Sequence, residues 1–253
     1  MRTTLLLLVL GVFPSIAEAK ERVVHLLVAL CDNRYQGIVK VPAGIGNGQE
    51  PRNNLYWGAG YGVRTHFDRA AEWVRVPCTK PSEAHILERA VWKHRDSAVY
   101  LVADAYDGRN IREATEDLLR FASGACRSLV SVGGRSIAVG GGADLIGYVG
   151  HDGLMDFALD GRYPAQDGRK RETLILACIS KRYFAPHVRN TGASPLLWTT
   201  GLMAPEAYTV KAALQGWVLH ETGEAIRERA AQAYNTYQKC GITGARRLFA
   251  TGW

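Results

Sequence analysis

Two short strings put reactive side chains directly after apolar runs. ADLIGYV leads into Gly150-His151-Asp152-Gly153, and ETLILA leads into Cys178-Ile179-Ser180. A thiol at its ordinary pKa is mostly protonated at neutral pH, and an imidazole within reach can take that proton and leave a nucleophilic thiolate. His151 and Cys178 therefore suit a base and a nucleophile acting together on a carbonyl. The backbone N–H of Asp152 or Gly153, with that of Cys178, would hold the oxyanion of a tetrahedral intermediate. A helix starting just after Cys178 would add a positive dipole end beside the sulfur. Asp32 or Asn33, at the end of an earlier apolar run, are candidates to orient the histidine. Each motif also has a plainer reading: a small core thiol or half of a disulfide for Cys178, and simple turns for Gly-His-Asp-Gly, Asp32 and Asn33.

The chemistry requires both strings to be strands of one sheet. Residues 23–30, VVHLLVAL, form a nearly continuous apolar run of the kind buried on both faces, ending at Cys31-Asp32-Asn33-Arg34. Residues 73–76, 97–103, 143–149, 172–177 and 194–199 read as further strands. Helices are expected over 54–67, over 82–94 with Ile86, Leu87, Ala90 and Val91 facing inward, over 110–122, over 205–219 and over 221–239. The alternation predicts a single α/β domain with a mainly parallel sheet flanked by helices on both faces. In such sheets sites form at the carboxyl ends of the strands, so parallel neighbours would deliver His151 and Cys178 to one edge. The Gly/Pro/Asn-rich stretch 37–54 is too long for a plain connection and is a candidate wall of that site. The cluster Gly58-Ala59-Gly60-Tyr61-Gly62 lacks the leading strand and following acidic residue of a dinucleotide-binding turn.

With these residues in place, the sequence resembles the caspase and legumain type of cysteine peptidases, in which one buried strand ends in His-Gly and a later one in Ala-Cys. The matching residues are His151 with Gly153, and Ala177-Cys178-Ile179-Ser180. Asp104-Ala105 through Asn110-Ile111 to Leu118 is similar to the family's second strand and helix. Leu196-Leu197-Trp198-Thr199-Thr200, followed by Ala204-Pro205-Glu206, is similar to the legumain strand leading to the primary specificity pocket. The chain departs from the pattern in having Asp152 between His151 and Gly153, a short stretch between His151 and Cys178, and added segments at 37–54 and Trp73. The resemblance implies a caspase-hemoglobinase-like fold, a His151/Cys178 dyad, a peptide or protein substrate, and no metal or organic cofactor. It makes Arg34, Ser180, Thr200 and Glu206 candidate substrate-binding residues. A second function class fits the same residues: an inactive relative serving as an exported binding or assembly module, with the 37–54 loop as its contact surface.

Residues 1–19 read as a cleavable signal peptide. Arg2 precedes an apolar stretch, Pro14 breaks it, and Ala17-Glu18-Ala19 ends it, too early for a membrane span. The remainder, 20–253, is the expected domain, and no later segment is long and apolar enough to span a membrane. The net charge of +7 comes from scattered basic residues without interleaved aromatics, which speaks against a dedicated nucleic-acid surface. The absence of an Asn-x-Ser/Thr sequon leans the address toward a bacterial periplasm or the extracellular space. In that setting four of the five cysteines can form two disulfides, leaving one thiol, ideally Cys178, unpaired.

Overall fold

A computed structural model describes residues 20–253; the signal peptide read at 1–19 lies outside them. Strand β1 (Arg22–Ala29) is the centre of the sheet, because its side chains alternate between two apolar layers. Val24, Leu26 and Val28 enter one core, and Val23, Leu27 and Ala29 the other. Helix α1 (Val63–Asp68) follows a long irregular segment and precedes β2 (Trp73–Val76), β3 (Ile86–His94) and β4 (Val99–Tyr106). After α2 (Ile111–Ala122) come the hairpin β5 (Ser128–Val132) and β6 (Arg135–Val139), then β7 (Leu145–Val149), β8 (Glu172–Leu176), α3 (Ser180–Thr191) and β9 (Ser194–Thr199). The chain closes with α4 (Ala207–Val218), α5 (Gly223–Gln238), α6 (Ile242–Leu248) and β10 (Phe249–Ala250).

The eight-stranded sheet runs β10-β9-β8-β7-β1-β4-β3-β2. From β9 to β4 every pairing is parallel, and the antiparallel pairings lie toward the two edges. The fold is therefore an α/β domain on a mostly parallel mixed sheet. Helices α2 and α3 cover one face through Ile111, Ala114, Leu118, Phe184 and Val188, and α1, α4 and α5 cover the other. The strand order reverses at β1, since β4 lies on one side of it and the later β7 on the other. A crevice opens at such a point outside the carboxyl ends of the strands.

Two expected helices are corrected. Residues 86–94 form β3, antiparallel to β4 with a bulge between Ile86 and Glu88. Their apparent helical face was a coincidence of spacing: Leu87 is exposed while Trp92 is fully buried, as a pleat requires. Of residues 54–67 only Val63 onward is helical. The preceding segment folds as tight turns around Asn54, which accepts from the Cys31 amide and donates to its carbonyl. A Cβ on Gly58 would collide with the Arg52 carbonyl, so this close turn needs glycine. The helix considered just after Cys178 is α3, which starts at Ser180 and carries an internal Pro186. The hairpin β5–β6 and the terminal pair α6–β10 are additions to the expected elements.

All five cysteines are free thiols, so no pair forms the disulfides considered above. They are dispersed in the fold. Cys31 is buried after β1, Cys78 lies beside the Arg89 carbonyl, and Cys126 and Cys240 are exposed after α2 and α5. Among the described residues no helix is long and apolar enough to cross a membrane.

Candidate active site

Strands β7 and β8 pair in register, Val149 with Leu176, so the segments that leave them emerge together. His151 follows β7 and Cys178 follows β8, and both line one cavity of about 270 Å³. The wall is completed by Gly37, Ile38 and Val39 of the long loop, by Tyr56, and by Met155, Leu202, Met203 and Pro205. The 37–54 stretch thus supplies one wall through its first residues.

His151 is nearly buried and is held at two points. Tyr148 Oη donates to its carbonyl (2.8 Å), and its Nε2 lies 2.8 Å from Asp156 Oδ2. A carboxylate only accepts, so Nε2 carries the proton in the neutral ring and Nδ1 keeps the lone pair. Asp156 reaches the ring because the short 3-10 turn Gly153–Met155 folds the chain back, and the Gly37 amide donates to the same oxygen (2.8 Å). A Cβ at Gly37 would overlap Asp156 Oδ1, so glycine is required for this approach.

Cys178 sits in a sharp strand–turn–helix corner. Ile179, next in the chain, has φ of 52° and caps α3 in the left-handed region, which is costly for a β-branched residue. The corner is pinned by Ile179 N–H to the Gly201 carbonyl (2.9 Å) and Ser180 N–H to Thr199 Oγ1 (3.2 Å). Strain of this kind persists only where surrounding bonds hold it. The sulfur accepts from the Met203 amide (3.4 Å) and donates to the Met203 carbonyl (3.6 Å). Cys178 and His151 share the cavity without a direct hydrogen bond. Burial pushes the Cys178 thiol up; the Met203 amide opposes this and the nearby Asp152 reinforces it. The resting form is therefore the thiol, and a base must act before it can attack.

Asp152 is completely buried. Its Oδ1 accepts from the Leu154 amide (3.0 Å), and its Oδ2 has no hydrogen-bond partner. Burial raises this carboxyl from 3.8 to about 7; the Leu154 bond works against the rise and Asp156 adds to it. Gly153 opens the short turn, where the first amide of a helix has no internal acceptor. Among the described residues neither the Gly153 nor the Cys178 amide donates to a backbone acceptor. Cys178 lines the cavity, whereas Gly153 is buried outside its lining, as is Asp152, so of the sequence candidates for an oxyanion site only the Cys178 amide is placed at the cavity.

Several sequence candidates have other work. Asp32 accepts from the Arg34 and Tyr35 amides and from Gln49, and Asn33 brackets Val41. Both organise the long loop, and the partner of His151 is Asp156 instead. Ser180 is buried and donates to the Ile175 carbonyl (2.8 Å) while accepting from the Thr199 amide (2.9 Å), which ties α3 to β8 and β9. Thr200 bonds the Arg247 and Leu248 carbonyls, and Glu206 accepts from Tyr208 and Gln238. The Arg34 guanidinium stacks on Tyr35. None of these four lines the cavity.

Asp156, Tyr56 and the wall residues Met155, Leu202 and Met203 were not singled out in the sequence. The acid five residues after His151 was the only local signal for Asp156, and Tyr56 arrives through a fold-back with none. Burial pushes the neighbouring Cys31 thiol up to about 11, and the Tyr56 hydroxyl beside it works against the rise. No group of three or more His, Cys, Asp or Glu among the described residues is arranged to hold a metal ion. Compared with known proteins, the chain matches no family model, no curated protein and no solved structure.

Proposed function

We propose that the chain is a cysteine hydrolase, a peptidase, in which Cys178 attacks a carbonyl, His151 moves the proton and Asp156 orients the ring. The observation that carries this reading is the Asp156–His151 pair and the Cys178 corner opening into one cavity at the carboxyl ends of adjacent parallel strands. Substrate binding turns the sulfur from Met203 toward the carbonyl carbon, and catalytic contacts commonly tighten only at that stage. The thiol proton passes to His151 Nδ1 as the S–C bond forms, and the Cys178 amide donates to the oxyanion. Collapse of the intermediate breaks the C–N bond, with His151 returning the proton to the leaving amine. A water then cleaves the thioester with His151 again as base.

The caspase and legumain resemblance is part of this proposal: a parallel sheet core with His and Cys after neighbouring strands is what such a fold needs. Export, which follows from the signal-peptide reading of residues 1–19, is part of the same proposal. An unpaired Cys178 suits it, whereas four further free thiols are unusual for an oxidising compartment. One observation favours the inactive-relative reading, namely that the sulfur bonds Met203 and not His151.

Incubation of the protein with a mixed peptide library under reducing conditions, with products read by mass spectrometry, separates the two. The hydrolase reading requires cleavage that is lost in Cys178→Ala and His151→Ala. No cleavage by the parent leaves the binding-module reading.

A further inference from the structure

The cavity at Cys178 has a chemical character of its own. Apart from the dyad and Tyr56, its side chains are Ile38, Val39, Met155, Leu202, Met203 and Pro205, with no Asp, Glu, Lys or Arg. Tyr56 is only 7 % exposed and its hydroxyl faces the Cys31 thiol. Asp156 is engaged by His151 and Gly37, and Asp152 is sealed beneath the site. The residues that could have read a charged side chain are turned elsewhere: Arg34 onto Tyr35, and Glu206 onto Tyr208 and Gln238.

Around the mouth, large apolar side chains stand open to solvent. Val39 is 92 % exposed, Leu202 70 % and Met155 40 %, on three separate segments that meet at this cavity. Apolar groups gathered at one cleft mark a contact surface, whereas scattered ones do not. The volume of about 270 Å³ falls just below the range of about 300–1,000 Å³ that holds a whole drug-sized ligand. It suits one amino-acid side chain with its adjoining backbone.

Resting on the hydrolase reading, we propose that this cavity selects an uncharged apolar side chain, of leucine or methionine size, on the residue whose carbonyl Cys178 attacks. The carbonyl must lie at the sulfur, so the neighbouring side chain enters the space that Cys178 itself lines. A carboxylate or guanidinium there would lose its water without gaining a partner. An aliphatic side chain exchanges water for the Met and Leu walls.

The test uses N-acetylated, quenched hexapeptides identical except for that residue, which is Leu, Met, Asp, Asn, Arg or Lys. Cleavage after Leu and Met is expected to exceed cleavage after the charged residues by about 100-fold or more in kcat/KM. Leu202→Asp and Met155→Asp should reduce the apolar preference and raise cleavage after Lys and Arg. In parallel, binding of the same peptides to Cys178→Ala is measured by fluorescence anisotropy. Efficient cleavage after Asp, Asn, Arg or Lys by the parent overturns the pocket assignment while leaving the hydrolase intact. Apolar-selective binding without cleavage by the parent sustains the pocket and removes the catalytic reading. Binding without selectivity, or none at all, overturns the pocket.

Discussion

Replacing Asp152 with Asn tests the electrostatics of the site without changing its shape. Asn keeps the oxygen that accepts from the Leu154 amide and removes only the charge. The folded carboxyl titrates near 7 against an ordinary value of 3.8, which corresponds to at most about 4 kcal/mol at 1.36 kcal/mol per unit. Below pH about 4 both folded and unfolded chains carry the proton, so the substitution is close to neutral. Between pH about 4 and about 7 the unfolded chain releases its proton while the folded chain holds it, and wild-type stability falls relative to the variant. Above pH about 7 the full difference stands, with Asp152→Asn the more stable. Urea unfolding of both proteins at pH 4, 5.5, 7 and 8.5 under reducing conditions reads this directly. A stability difference independent of pH, or a variant that is less stable at pH 8.5, would refute the reasoning. The same substitution removes a negative neighbour of Cys178, so the pH midpoint of its alkylation should move down.

Asp156→Ala frees the ring of His151 and is expected to lower kcat by about 10²-fold or more with little change in KM, measured on the best library peptide. Gly37→Ala places a Cβ against the Asp156 carboxylate and should cost about 10- to 100-fold in kcat while the unfolding midpoint moves little. Arg89→Ala leaves the fully buried Asp104 with His25 alone. It should destabilise by about 3–5 kcal/mol at neutral pH in urea unfolding. Burial would raise the Asp104 carboxyl, but its bonds to Arg89 and His25 prevail and hold it low, so the difference should shrink as acid protonates it. Ser180→Ala strips partners from the Ile175 carbonyl and Thr199 amide and should cost about 1–3 kcal/mol in urea unfolding.

What the sequence revealed and what it hid follow from the range of each interaction. The strand runs before His151 and Cys178 were legible because a strand buried on both faces must be apolar throughout, and the parallel order placed both residues at one edge. Residues 82–94 misled because a strand with a bulge at Glu88 and a helix share the same short apolar spacing, and only pairing with β4 decides. The helix considered after Cys178 is present as α3, and its course past Pro186 to Thr191 is what local propensity, which counts proline as a breaker, does not give. Asp32 and Asn33 were plausible partners for the histidine by position alone, but their side chains fold back on their own loop. Asp156 gains its role from a turn of a few residues, and Tyr56 from turns built on Asn54 and Gly58. Ser180, Thr200 and Glu206 were read from a motif, and in the fold their hydroxyl and carboxyl groups bond neighbouring segments.

The claim that Cys178 is a nucleophile served by His151 is tested most directly by a peptide acyloxymethyl ketone with Leu next to the reactive group, followed by mapping of the adduct. Cys126 and Cys240 are the exposed thiols and Cys178 is only partly accessible, so simple accessibility favours the former two. Saturable labelling at Cys178, lost in His151→Ala and competed by the best peptide, is the predicted result. Labelling that falls on Cys126 and Cys240 and spares Cys178 would contradict it.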